Sequence, residues 1–131
     1  MTKPGQDPQA WLDKGDKDLR LAELSLAEGP NFSDMVCYHA QQCAEKYLKG
    51  YLVANQREFP PTHLLSQLVA LCRQLDDRFV AIADPATELQ EYATAVRYPS
   101  DEFGAPSLDA AQTALAQAMM IRDFVLARMR P

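Results

Sequence analysis

Three side chains of the kinds that bind phosphate recur at helical spacing in residues 37–52. They are His39, Gln42 and Lys46, and at about 100° per residue they fall within about 60° of one another on the helical wheel. They should therefore form one row of hydrogen-bond donors on consecutive turns. An imidazole, an amide and an ammonium group suit a phosphate or the polar edge of a base. The same row also fits a solvated helix face or a set of hydrogen bonds between helices.

Two further donors are placed beside expected helix ends. His63 follows two prolines and Thr62 at a helix entrance, where free backbone N–H groups favour anions. Packing or capping is the alternative role for this histidine. Arg97, with Tyr98 beside it, lies where Pro99 must end a helix. Its guanidinium could bind a phosphate or carboxylate through two N–H groups, or it could bond to the last carbonyls of its own helix.

Several other chemistries lack the residues that they need. Asp101 and Glu102 are adjacent and would point apart, which argues against an acid–base pair of carboxylates. The sequence contains no Gly-rich phosphate loop, no serine-elbow pattern and no paired metal motif. We predict no metal site. The cysteines lack close spacing, so we expect them to be buried free thiols; they are Cys37, Cys43 and Cys72.

The composition is that of one globular domain. The chain has 131 residues, of which 47% are hydrophobic, and a net charge of −5. We expect a single domain over residues 1–131 with an ordered core over about residues 8–129. The acidic balance argues against a broad nucleic-acid surface, so RNA is not favoured as a partner. With no apolar segment long enough to cross a membrane and no signal segment, we expect a cytoplasmic protein without membrane contact.

Helix signals dominate the sequence and predict an all-α fold, an up-and-down bundle of four to five helices. The segment 75–83 is ambiguous between an extra turn and a brief helix. The outer face of the first helix, which includes Asp16 and Asp18, is interpreted as solvated. Each helix is expected to start at a capping residue, and these residues are Asp7, Ser33, Thr62, Asp84 and Ser107.

Three motifs in order resemble the HEPN domain. They are YHAQQCAEKYLK at residues 38–49, THLL at residues 62–65 and AVRYPSD at residues 95–101. The resemblance implies a bundle of four to five helices that forms a homodimer, often beside a small nucleotidyltransferase-fold partner. It also implies nucleotide binding or membership of a toxin–antitoxin module. On this resemblance His39, Lys46, His63 and Arg97 are the residues expected to contact a ligand.

The ribonuclease branch of that family uses an Arg followed four to six residues later by a His, and this chain departs from it. With four, five or six residues in between, the positions after Arg97 carry Glu102, Phe103 and Gly104, and no His occurs after His63. The group that would accept the proton of a ribose hydroxyl is therefore missing from its expected place. The leading hypothesis is a non-catalytic module that binds a nucleotide or another phosphate ligand. A metal-independent ribonuclease that uses Arg97 with a different base, and a purely structural interaction module, are the alternatives.

Overall fold

Five α-helices form the described part of the chain, residues 4–94 and 105–129 of a computed structural model, and no strand occurs there. The all-α prediction is confirmed. Short 3-10 helices lie at Pro4–Gln6, Pro30–Phe32, Asp77–Ile82 and Glu91–Ala93. The α-helices are α1 (Pro8–Ala27), α2 (Ser33–Ala54), α3 (Leu65–Leu75), α4 (Ala83–Gln90) and α5 (Leu108–Met129). None of the helices in these ranges is long and apolar enough to span a bilayer.

Two of the expected helix caps are confirmed by their hydrogen bonds. The Asp7 side chain accepts from the backbone N–H of Gln9 at 3.0 Å, and Pro8 takes the first position of α1. The Ser107 hydroxyl accepts from the backbone N–H of Ala110 at 3.0 Å and begins α5. Since both caps satisfy N–H groups that a helix cannot satisfy by itself, these helices start where the sequence predicts.

Three other cap predictions are wrong in detail. Ser33 is the first residue of α2, its hydroxyl is buried, and no described residue hydrogen-bonds to it. Asp84 lies inside the first turn of α4, which starts at Ala83 directly after a 3-10 helix. The Thr62 hydroxyl accepts from the backbone N–H of Leu64, but α3 begins only at Leu65. At Ser33 and Asp84 a preceding 3-10 helix runs directly into the α-helix, so the capping position passes to an earlier residue.

Helix α2 ends in a hydrogen-bonded turn built around one left-handed residue. The backbone N–H of Arg57 bonds to the Leu52 carbonyl at 2.9 Å, and that of Gln56 to the Val53 carbonyl at 3.0 Å. Gln56 has a φ of 56°, a conformation that usually selects glycine. The turn satisfies the last carbonyls of α2 and leads the chain toward residues 57–63.

Helix α2 is the central element, and α1 lies antiparallel and unusually close to it. A Cβ added to Gly15 would come within 2.7 Å of the Tyr47 ring, and one added to Gly50 within 3.0 Å of Leu12. In both contacts the N-terminal half of α1 meets the C-terminal half of α2. The earlier residue of α1 meets the later residue of α2, as the antiparallel arrangement requires. Two small residues therefore set the rotation of α1 against α2, and with it the side chains that meet at their edges.

The rest of the core gathers around the other side of α2. Phe79 is fully buried and contacts Tyr51 of α2, at 4.6 Å between ring centroids, and Phe124 of α5, at 5.0 Å. This packing accounts for the ambiguous segment 75–83, most of which forms the 3-10 helix Asp77–Ile82, because buried Phe79 and Ile82 hold it against the core. The cysteine prediction is also confirmed, because all three thiols are free and buried.

Candidate functional site

Two of the three donors in the predicted row on α2 converge on one carboxylate of α1. His39 Nδ1 lies 3.0 Å from Asp18 Oδ1, and Lys46 Nζ lies 2.7 Å from Asp18 Oδ2. The three side chains are 14–20% exposed, so this cluster reaches the surface without being fully solvated. The interpretation of Asp18 as part of a solvated outer face is therefore wrong. The close approach of α1 turns this carboxylate inward, to the edge of α2.

Both basic partners stabilise the charged form of Asp18. Burial by itself raises the pKa of this carboxyl, but the hydrogen bonds and charges of His39 and Lys46 together outweigh burial and hold the pKa below its usual value. A carboxylate only accepts hydrogen bonds, so His39 must donate from Nδ1. The ring of His39 also stands edge-on to Tyr38, with 5.2 Å between ring centroids.

Two glutamines extend the cluster across the surface of α2. Lys46 Nζ donates to Gln42 Oε1 at 3.2 Å, and Gln42 Nε2 donates to Gln41 Oε1 at 2.6 Å. Gln41 Nε2 donates in turn to the backbone carbonyl of His63 at 3.1 Å and to Glu45 Oε1 at 3.3 Å. Since a carbonyl and a carboxylate only accept, these last bonds fix the orientation of both amides. The hydrogen bonds therefore run in one direction from Lys46 to His63.

Glu45 is the second acidic centre, at the far side of this chain of bonds. Its side chain is 4% exposed and takes His63 Nδ1 on Oε1 at 2.9 Å and Lys49 Nζ on Oε2 at 3.1 Å. Lys49 is itself buried, with Nζ 5.8 Å from the ring centroid of Trp11 and 5.6 Å from that of Phe59. We call the whole set the α2 polar network: Asp18, His39, Gln41, Gln42, Glu45, Lys46, Lys49 and His63.

The sequence analysis missed four members of this network as site residues, namely Asp18, Gln41, Glu45 and Lys49. Gln41 and Glu45 are almost fully buried, although both are polar residues inside a helix. Their signal was the spacing of four residues from Gln41 to Glu45 to Lys49, which places them on one face. Asp18 gave no local signal, because its role depends on how α1 packs.

The opposite edge of α1 carries a different polar contact, which joins three helices. The Tyr47 hydroxyl donates to Asp16, and Arg122 of α5 bonds to the same carboxylate at 3.1 Å between Nε and Oδ1. Burial first, and then the Asp16 carboxylate, raise the pKa of Tyr47. Asp16 is exposed as predicted, with 48% of its side chain accessible, but it also bonds to two neighbouring helices. This contact fixes α1 against α2 and α5 and leaves the polar network on the other edge.

The remaining candidate residues divide into those that are described and those that are not. Arg97 and Tyr98 lie outside the described residues, as do Asp101 and Glu102. In residues 4–94 and 105–129 no group of three or more His, Cys, Asp or Glu side chains is placed to hold a metal ion. Burial raises the cysteine pKa values above the usual range, to about 11 for Cys37 and about 12 for Cys43 and Cys72.

Comparison with known proteins identifies the family. The family model described as "HEPN domain" matches residues 8–128, which is most of the chain. The crystal structure of an archaeal HEPN homologue superposes with a TM-score of 0.76 at 23% identity, covering 95% of this chain and 98% of that one. A search of curated proteins gives no significant match. The ordered motifs, the helical bundle and the family match agree, and the chain belongs to the HEPN domain family.

Proposed function

We propose that this protein is a non-catalytic HEPN module that binds a phosphate-bearing ligand, a nucleotide, at the outer edge of the α2 polar network. The observation that supports this most is the convergence of His39 and Lys46 on both oxygens of Asp18. The bond to Asp18 fixes the position of Lys46 Nζ at the partly exposed face of α2, where its remaining N–H can be offered to a phosphate oxygen. Arg97 and Tyr98 belong to the same proposal on the family motif alone.

Lys46 and Gln42 each have one N–H group that no described residue accepts. The ammonium group of Lys46 has three N–H bonds, and the described residues use two of them, at Asp18 and Gln42. The amide of Gln42 has two N–H bonds, and the described residues use one, at Gln41. One N–H on each of these side chains, on neighbouring turns of a partly exposed helix face, suits two oxygens of a phosphate.

We also propose that the module acts as a homodimer and with a nucleotidyltransferase-type partner in a toxin–antitoxin system. The support for these assignments is the family motif content. Exposed apolar side chains are the surface that such assembly would use, and α5 carries Leu108, Met119 and Met120 at 39–52% exposure. Sedimentation of the protein alone should give a dimer mass, and addition of a nucleotidyltransferase encoded beside it should give a larger complex. A monomer at all concentrations would contradict the homodimer. The absence of a larger complex would contradict the nucleotidyltransferase partner.

Calorimetry tests the ligand proposal. We expect ATP and pyrophosphate to titrate into the wild-type protein with measurable heat, and Lys46→Met to weaken both by about 10- to 100-fold, the value of a charged hydrogen bond. Gln42→Ala removes one donor while leaving the bonds of Lys46 and His39 to Asp18 in place, and should weaken binding by about fivefold. Arg97→Ala tests the residue assigned from the motif.

The matched control is Lys17→Ala, because Lys17 is an exposed lysine on α1 outside the network. It removes the same charge from the protein and should leave the affinity within about twofold. Circular dichroism should show all variants helical. Titrations that are equal for Lys46→Met and Lys17→Ala, or no heat with any phosphate ligand, would remove the proposal.

A further inference from the structure

The ring of His63 is exposed, but it bonds to a buried carboxylate. Its side chain is 58% exposed, yet Nδ1 lies 2.9 Å from the carboxylate of Glu45, which is 4% exposed. The backbone carbonyl of the same residue accepts from Gln41 Nε2 at 3.1 Å. Two side chains of α2 therefore hold both the ring and the backbone of His63, although it lies in a loop between α2 and α3.

The bond to Glu45 determines which nitrogen of the His63 ring faces outward. Glu45 also takes the ammonium group of Lys49 on its other oxygen, at 3.1 Å, and as a carboxylate it only accepts. His63 Nδ1 must then be the donor. In the neutral ring Nε2 consequently carries the lone pair, and it is the nitrogen left to face solvent. A carboxylate behind Nδ1 is the arrangement that fixes the tautomer and the ring direction of a working histidine.

A neutral Nε2 is an acceptor, and this restricts what it can bind. It repels the oxygen of an ionised phosphate but takes a hydrogen bond from a hydroxyl or an N–H group. In a nucleotide the ribose hydroxyls are the donors nearest to the phosphates. His63 lies at the end of the directed bonds that begin at Lys46 and pass through Gln42 and Gln41, along a single helix face.

We infer that Nε2 of the neutral His63 ring accepts a hydrogen bond from a ribose hydroxyl, and that Glu45 is the positioning residue that fixes the tautomer in which Nε2 is the acceptor. This rests on the proposed function, which places the phosphates of the same ligand at Lys46 and Gln42. The ligand class is then a ribonucleotide. Nucleotides without ribose hydroxyls lose this contact but keep the phosphate contacts.

The test compares ATP with 2′,3′-dideoxyadenosine triphosphate by calorimetry. The wild-type protein should bind ATP about five- to tenfold more tightly, the value of one hydrogen bond between uncharged groups. His63→Ala, a change at an exposed side chain, should bind both compounds equally and with the wild-type affinity for the dideoxy compound. Lys46→Met should weaken both compounds and keep their ratio.

The outcomes separate the two proposals. Equal affinity of the wild-type protein for both compounds would overturn the role of His63 and leave phosphate binding intact, whereas binding of neither compound would overturn both. A measurement without ligand tests the geometry independently. Nitrogen NMR of the protein at a pH where His63 is neutral should show the Nδ1-protonated tautomer, and the opposite tautomer would overturn the inference.

Discussion

Removal of the Asp18 charge tests how the network holds α1 to α2. In Asp18→Asn the side chain keeps its shape but loses its charge and one of its two acceptor oxygens, so it cannot accept from both His39 at 3.0 Å and Lys46 at 2.7 Å. A hydrogen bond to a charged group contributes about 1.5–3 kcal/mol. Because the cluster is partly exposed, we reduce the sum of the two bonds and expect the free energy of unfolding to fall by about 2–3 kcal/mol at pH 7.

Urea unfolding at fixed protein concentration measures this difference, with Glu23→Gln as the control. Glu23 is an exposed acidic residue on the same helix, and its substitution should change the free energy of unfolding by less than about 0.5 kcal/mol. An unchanged dependence on urea concentration would show that both proteins unfold from comparable native states.

The difference in the free energy of unfolding between wild type and Asp18→Asn should become smaller at acidic pH. The folded-state pKa of Asp18 is lowered from its usual value, so its contribution to stability is fully present above the pKa of the unfolded chain and is lost as the pH falls through the folded value. The gap between wild type and Asp18→Asn should therefore close below about pH 4. An Asp18→Asn protein as stable as Glu23→Gln at pH 7, or a gap that persists unchanged in acid, would refute the reasoning.

Three further outcomes follow from the packing. Gly15→Ala should destabilise the protein by about 1–3 kcal/mol in urea unfolding, because the new methyl group meets the Tyr47 ring at 2.7 Å; a stabilised variant would show that α1 is not held so close. Gln56→Gly should stabilise it by about 0.5–1 kcal/mol, because glycine adopts a φ of 56° without strain, whereas a loss of stability would contradict the left-handed turn. At pH 8 a thiol reagent should label less than one cysteine per folded chain, because burial raises the pKa of each thiol, and it should label all three in urea. Rapid labelling of the folded protein would contradict the burial of Cys37, Cys43 and Cys72.

The helices could be predicted because their signals are local. Asp7 with Pro8 and Ser107 act within one turn of their own positions, and the apolar spacing of α2 and α5 needs no knowledge of neighbours. Ser33 and Asp84 show the limit of this approach. Each looks like a cap in sequence, but a preceding 3-10 helix moves the first α-helical residue. Before α4 that 3-10 helix is held in place by the long-range contacts of Phe79.

The candidate site likewise contains residues that the sequence could predict and residues that it could not. His39, Gln42 and Lys46 share a face because they belong to one helix, so their row is a matter of angle alone. Their acidic partner depends on the rotation between two helices, which Gly15 and Gly50 set through contacts with Tyr47 and Leu12. The pairing of Glu45 with His63 likewise depends on the path of the loop after α2. Such long-range contacts leave no periodic trace in the sequence.

A crystal structure of the protein grown with ATP tests the central proposal most directly. The proposal predicts density for a phosphate group with oxygens about 3 Å from Lys46 Nζ and Gln42 Nε2, beside the intact contacts of Asp18 with His39 and Lys46. A nucleotide bound elsewhere, with these two donors touching only protein and solvent, would contradict it.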